Sequence, residues 1–368
     1  QSELNIGSEY NKEAVKFQFD FLNDDIPMPN DLVKNPTKLP QGLVDALQQN
    51  KPIVFFINPP YGTANNLGAN SGHKAGIAKT IINQQMLSDN FGACSENLYA
   101  QFLYRIMQLQ QKYNLTNCYI GLYSPTLFLT GTSWKKFRKK FLNVFSFING
   151  CQFCANQFSD VADSWAISFS IWKNGITADK ENFNYDLVDD IDGEVQVIGT
   201  KNVYNIDFHT SSSDWVKESV KKIKTSDFPQ LSSAIKWKEG KGCCGSIVLG
   251  ALGYYVNVAN NIYKSPTDCF LLTSTSSMGH GVSICDSNYE RVCANFSARK
   301  LIKPTWYNQK DEYLAPNEAH PDYQEFVNDS IVHSLFHSAS NQSSLRDVDY
   351  KGKKWNIYNE FFWMGKNE

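Results

Sequence analysis

The run Pro52-Ile-Val-Phe-Phe-Ile57 constrains this chain more than any other stretch, because it stops abruptly at Asn58-Pro59-Pro60-Tyr61. Consecutive β-branched and aromatic residues of this kind read as a strand covered on both faces, as in a parallel sheet. Two prolines then fix φ near about −65° and withhold two backbone N–H groups, so the strand cannot continue. Ligands of open α/β sheets sit at the carboxyl ends of strands. Asn58 to Tyr61 are therefore held where chemistry is done.

The residue types specify which chemistry. The Asn58 side-chain carbonyl and the Pro59 backbone carbonyl can accept both hydrogens of one planar amino group. Tyr61 offers a flat ring on which the ring bearing that amine can lie. An exocyclic amine such as that of adenine is a poor nucleophile, because its lone pair is delocalised. Two acceptors that draw its hydrogens toward tetrahedral geometry localise the pair for attack on a methyl group. The plainer alternative is a strand-to-loop turn, since Asn-Pro and Pro-Pro are common turn dipeptides.

Around this motif the sequence alternates strand and helix signals. Val15–Leu22 alternates apolar and polar residues and reads as a strand carrying the Asp20 carboxylate at its end. Residues 27–40, rich in Pro and Asn, are loop. Residues 62–95 read as a long loop with one short helix near Ile77–Met86. Leu98, Phe102, Ile106, Leu109 and Tyr113 recur at helical steps and predict a helix. A strand at Asn117–Tyr123 meets Ser124-Pro125, and Ser133–Phe141 predicts a basic amphipathic helix holding Lys135, Lys136, Arg138, Lys139 and Lys140. Strands at Val144–Ile148 and Trp165–Trp172 complete an α/β unit, expected to have a largely parallel sheet.

Composition shifts after Lys173-Asn-Gly175. Residues 176–210 are acidic with short strand-like runs, 211–240 carry Ser runs and a Lys-rich helix candidate, and 241–310 are rich in Gly, Ser, Asn and aromatics. The shift predicts two domains, residues 1–175 and 176–368. A length of 368 residues, 42% of them hydrophobic, agrees with two domains and excludes a wholly disordered chain. The net charge of −2 excludes a protein that is basic in bulk, but not one with a local basic groove.

Other signals are mostly negative. No apolar run approaches the ~18–20 residues of a membrane helix, and Gln1-Ser2-Glu3-Leu4 lacks a signal pattern, so a cytoplasmic chain with no membrane partner is expected. Nine Cys without framework spacing read as reduced thiols. Cys151-Gln-Phe-Cys154 is a lone CxxC that Cys243-Cys244 does not complete into a zinc site, so no metal is expected. His333 and His337, four apart, could share a helix face and read as ordinary surface or core residues.

Asn58-Pro59-Pro60-Tyr61 and its flanks resemble the gamma-type N6-adenine DNA methyltransferases of bacterial restriction-modification systems, over about residues 15–175. Asn97-Leu-Tyr-Ala-Gln-Phe-Leu-Tyr-Arg105 resembles the helix that follows the motif in that family. Tyr119–Pro125 resembles its next strand, and Gln157–Ser159 through Ser170–Lys173 its late strand pair. The resemblance implies an incomplete Rossmann-like, S-adenosylmethionine-dependent α/β domain followed by a mixed α+β DNA target-recognition domain. It implies that Asn58, Pro59, Pro60 and Tyr61 are catalytic, with Phe158 against the far face of a flipped base. It implies that Asp20, Phe21 and Asn58 contact S-adenosylmethionine. One departure stands out: the family's Gly-rich cofactor loop and acidic ribose ligand precede the Asp-bearing strand, where only fourteen residues stand here. The expectation is therefore the C-terminal part of a longer enzyme, inactive or weak in cofactor binding by itself.

The expected partner is double-stranded DNA, with Lys135, Lys136, Arg138, Lys139, Arg299, Lys300 and Lys303 toward phosphates, the last three near Trp306 and Tyr307. The missing upstream segment, or a nuclease or specificity subunit, would be a second partner. The alternative for each basic cluster is a solvated charged face. Alternatives for the whole are a protein-glutamine or RNA-amine methyltransferase, and a non-catalytic DNA-binding specificity fragment.

Overall fold

The computed structural model describes residues 14–26, 38–60, 79–157, 165–176, 179–218, 253–263, 266–272, 281–340 and 345–357. The chain divides into two compact units, residues 1–161 with 166–205, and residues 162–165 with 206–368.

The first unit contains α1 (Gln41–Gln48), β1 (Ile53–Ile57), α2 (Ile81–Ser88), α3 (Leu98–Lys112) and β2 (Cys118–Ser124). These are followed by α4 (Leu127–Thr130), α5 (Lys135–Phe141), β3 (Phe145–Cys154), β4 (Ala166–Asn174), β5 (Asn182–Ile191) and β6 (Glu194–Tyr204). The strands form one sheet in the order β1-β2-β4-β3-β5-β6. β1 with β2 and β3 with β5 are parallel; β2 with β4, β4 with β3 and β5 with β6 are antiparallel. The sheet is thus mixed. The short link from β3 to β4 returns the chain antiparallel, since a parallel return needs a longer crossover. Asp192 and Gly193, at φ 57° and 85°, make the two-residue turn that folds β5 onto β6.

Because β5 and β6 extend this sheet, the boundary lies near residue 205 rather than 175. The compositional shift marks a change in exposure within one sheet: Glu194–Ile198 of β6 are all exposed.

Helical periodicity explains α3. Leu103, Ile106 and Met107 fall on its inward side with Tyr99, all at most 2% exposed. The inward residues of β2, Ile120 and Leu122, and Trp172 of β4 share that core. Trp172 makes ring contacts with Phe128, Phe141, Phe147 and Phe183, and its Nε1–H donates to Ser170 Oγ at 2.8 Å. Each such fully buried side chain contributes roughly 1.5–3 kcal/mol.

Two expectations about strands need correction. Residues 14–20 are not a strand but irregular chain leading into a turn at residues 21–24. β1 is not covered on both faces: Ile53 is buried, while Val54 and Phe56 are 65% and 67% exposed. Its apolar run is continuous, yet among the described residues β1 pairs only with β2, and its Val54–Phe56 side lies opposite the core.

The second unit begins with α6 (Ser212–Lys217) and holds an antiparallel sheet of β7 (Gly253–Asn257), β8 (Cys269–Leu272) and β9 (Val282–Ile284), in the order β8-β7-β9. Two helices follow, α7 (Tyr289–Leu301) and α8 (Tyr323–Phe336), and a hairpin of β10 (Leu345–Tyr350) and β11 (Lys353–Ile357). Val292 and Phe296 of α7 and Val327 of α8 share a core with Tyr255 and Val282. No helix among the described residues is long and apolar enough to cross a membrane.

Candidate functional site

β1 delivers its last residue beside β2: Ile57 pairs with Leu122 in parallel register, so both strands present their carboxyl ends together. Asn58, Pro59 and Pro60 leave β1 there, with Asn58 and Pro60 exposed and Pro59 buried. Burial of Pro59 anchors a loop whose φ angles are already fixed. β2 ends alongside at Ser124-Pro125. Ser124 accepts through its backbone carbonyl from Ser168 Oγ at 2.6 Å, while its own buried hydroxyl has no hydrogen-bond partner. Tyr61 and Phe158 lie outside the described residues.

The sheet face carrying Phe56 holds a row of aromatic rings that the sequence reading missed. Phe56 lies 5.9 Å from Tyr123 and 5.8 Å from Phe169, and Tyr123 lies 4.8 Å from Phe169 and 6.3 Å from Phe153. Gly121, opposite Phe56 in the register, leaves room for that ring: a Cβ there would stand 3.0 Å from Phe56 Cδ2. The signal was the period-two alternation of Tyr119, Gly121 and Tyr123, which places these residues on one face. Tyr119, Tyr123, Phe153 and Phe169 are half-buried. Such a face can stack on other rings.

Of the residues expected to hold S-adenosylmethionine, Asn58 is exposed, while Asp20 and Phe21 have partners within the chain. Both Asp20 carboxylate oxygens serve a local turn: Oδ1 accepts from the N–H groups of Leu22 and Asn23 at 3.1 and 3.2 Å, and Oδ2 from Asn23 Nδ2 at 2.8 Å. Aspartate adopts this role readily, its short side chain capping backbone two residues on. Phe21 stacks on Phe102, with centroids 5.4 Å apart and planes at 23°, and packs against the core. Neither is poised over a ligand.

The expected DNA-facing cations separate into two groups. Lys135, Lys136 and Lys139 are exposed on α5, and Lys303 is exposed after α7. Arg138 and Arg299, however, are fully enclosed. Arg138 Nη1 donates to the carbonyls of Phe128 and Gly131, at 3.2 and 2.9 Å, at the end of α4. Arg299 donates to Asn295 Oδ1, Ser212 Oγ, Asn260 Oδ1 and the Ala259 carbonyl, with its guanidinium 4.5 Å over the Tyr313 ring. Enclosed guanidinium groups cannot reach a phosphate, so these two leave the set. Lys300 is half-buried; its ammonium donates to the Pro266 carbonyl at 2.6 Å and rests over Phe270 and Phe296, and burial lowers its pKa.

Cys151 and Cys154 stand three residues apart on β3, so their side chains point to opposite faces and cannot chelate one ion. No group of three or more His, Cys, Asp or Glu placed to hold a metal occurs among the described residues. His333 lies in the last turn of α8 and His337 just past its end, their rings 5.1 Å apart and both against Phe296. His333 Nδ1 is 2.8 Å from Ser297 Oγ, a packing contact between helices.

Compared with known protein families and with curated proteins, the sequence has no match. Among solved structures the chain is similar to the crystal structure of a modification subunit of a putative type I restriction enzyme from Vibrio vulnificus YJ016. The identity is 12%, over 52% of this chain and 37% of that one, with a TM-score of 0.26. The chain thus spans little more than a third of that subunit, and a likeness this slight says nothing of chemistry here.

Proposed function

We propose that this chain carries the base-gripping motif of an N6-adenine DNA methyltransferase of a restriction-modification system. What supports the reading is Asn58, exposed where the parallel pair β1 and β2 ends, on a loop anchored by buried Pro59. Asn58 and the Pro59 carbonyl would accept the two hydrogens of the target amine and orient its lone pair. The base would have to leave the duplex to reach them. Lys135, Lys136, Lys139 and Lys303 would neutralise phosphates. S-adenosylmethionine is the methyl source this chemistry calls for, and none of the described residues is assigned to hold it.

The test is methyl transfer to adenine in duplex DNA, measured on the full gene product and its Asn58→Ala variant by mass spectrometry of the digested DNA. Loss of one preorganised acceptor costs about 10²–10³ in rate. Undiminished methylation by the variant would remove Asn58 from the mechanism. A second reading, a DNA-binding fragment without catalysis, is favoured by the engagement of Asp20 in its turn and of Phe21 in the core. Calorimetric titration with S-adenosylmethionine separates them: saturable binding by the full gene product excludes the second reading.

A further inference from the structure

We infer that β1 is an interface between two copies of this chain, in which the two β1 strands pair antiparallel across a two-fold axis and join their sheets edge to edge. The Ile53 N–H donates to the Asn117 carbonyl at 3.0 Å, so Ile53, Phe55 and Ile57 turn their backbone groups toward β2. Backbone groups alternate in direction along a strand, so Val54 and Phe56 turn theirs away. Among the described residues no second strand takes them, and the side chains of the same two residues are the exposed ones on β1. N–H groups, carbonyls and apolar side chains thus lie open together on one edge, the combination that a further strand binds.

The two edges of this sheet differ in how they are protected. Exposed edge strands ordinarily carry charges, prolines or bulges that discourage pairing with another chain. β6, at the far edge, contains Glu194 and Lys201, and its register against β5 shifts between Leu187 and Val188. β1 has none of these devices. Its register with β2 is unbroken, and Ile53–Ile57 holds neither a charge nor a proline.

The edge is complementary to itself, which makes a second copy its occupant. With Phe55 opposite Phe55 of the partner subunit, Val54 faces the partner subunit's Phe56, and Phe56 faces the partner subunit's Val54. Each such pair exchanges both of its backbone hydrogen bonds. Each also sets a β-branched side chain against an aromatic ring, a favourable cross-strand pair. Residues 52–60 carry no charge, so no like charges stand opposite one another in this register. Pro52, the next residue whose backbone would face outward, has no N–H and bounds the pairing. The axis runs normal to the sheet and keeps both open faces on one side, so the rings of Phe56, Tyr123 and Phe169 continue into the partner's row. Two exposed side chains per copy make a small contact, and the dimer is accordingly weak and reversible. Asn58 lies outside the paired stretch, so the inference stands or falls apart from the proposed methyl transfer.

The test is sedimentation equilibrium of the purified chain over a wide concentration series, with amide hydrogen exchange at both ends of the series. The mass should rise from one chain toward two as concentration increases. The Val54 and Phe56 amides should gain protection with it, while those of Phe55 and Ile57, already bonded to β2, should not change. Phe56→Lys places a charge on the edge, and Val54→Pro removes an outward donor without touching the β1–β2 ladder. Each should weaken association by about tenfold or more, with circular dichroism confirming the fold. If neither variant folds, the exchange pattern of the unaltered chain decides. A single-chain mass at every concentration would overturn the inference. So would a dimer that neither change weakens, or one that leaves the Val54 and Phe56 amides unprotected.

Discussion

Arg138→Met separates a structural cation from the exposed lysines beside it on α5, which are proposed to face DNA. The Arg138 guanidinium is fully enclosed and donates to the Phe128 carbonyl, near the end of α4, and to the Gly131 carbonyl, which also accepts from the Trp134 N–H. Hydrogen bonds to a charged group contribute about 1.5–3 kcal/mol each, and methionine would leave the Phe128 carbonyl buried without this donor and the Gly131 carbonyl with only the Trp134 N–H, at 3.2 Å. The desolvation cost of the guanidinium itself, which methionine avoids, offsets part of that. We expect a net loss of about 2–4 kcal/mol. With a slope of about 2 kcal/mol per molar, the urea midpoint should fall by about 1–2 M. Fluorescence of Trp134 and Trp172, both buried in this core, reports the transition. The triple change Lys135→Gln, Lys136→Gln and Lys139→Gln should leave that midpoint nearly unmoved, since exposed substitutions usually stay within about 0.5 kcal/mol each. It should instead flatten the salt dependence of DNA binding, by about 0.9 in log–log slope for each phosphate no longer neutralised. An Arg138→Met protein with an unchanged midpoint and a flattened salt dependence would refute the assignment.

Gly150→Ala on β3 would put a Cβ 2.5 Å from Tyr185 Cε1 and 3.0 Å from the Phe169 carbonyl, and Tyr185 is fully buried. Overpacking of this kind costs about 1–3 kcal/mol, so calorimetry should show a melting temperature lower by several degrees, and an unchanged one would contradict the packing. Burial raises the thiol pKa of Cys94 to about 11 and of Cys118 to about 12; at pH 8 both should resist iodoacetamide in the folded chain and react in denaturant, as mass spectrometry of peptides can show. Burial holds His333 and His337 below their usual 6.5, with Lys300 repelling both and His333 repelling His337. Their unfolded forms therefore bind more protons, and stability present above pH 6.5 should fall as the pH is lowered from there. Replacing both by Gln should flatten that part of the urea-midpoint profile, and an unaltered profile would exclude them as its cause.

Local pattern determined much of this protein. The three- and four-residue spacing from Leu98 to Tyr113 is visible without any partner, and α3 spans Leu98–Lys112 as it requires. Asn58-Pro59-Pro60 must end a strand, because prolines lack the donors a strand needs, and β1 ends at Ile57. The separate roles of neighbouring cations were not legible in this way. Lys135 and Arg138 stand in one basic run, yet whether a helix position faces a carbonyl-lined interior or water depends on what packs against it.

The same limit applied to the strands. Five apolar residues in β1 carry no record of whether both faces are covered, since coverage is set by strands and helices distant in sequence. The compositional shift after Gly175 and the acidic character of 176–210 suggested a new domain, whereas pairing of β5 with β3 and of β6 with β5 places residues 182–204 on the first sheet. Asp20 was expected at the end of a strand, but it opens a turn, and backbone N–H groups two and three residues on donate to its Oδ1. Residue types and their spacing thus settled where helix α3 runs and where strand β1 must stop. Tertiary structure alone decided which charges meet solvent, which rings share a face and which strand, β1, is left on an edge, because those depend on contacts between segments far apart in the chain.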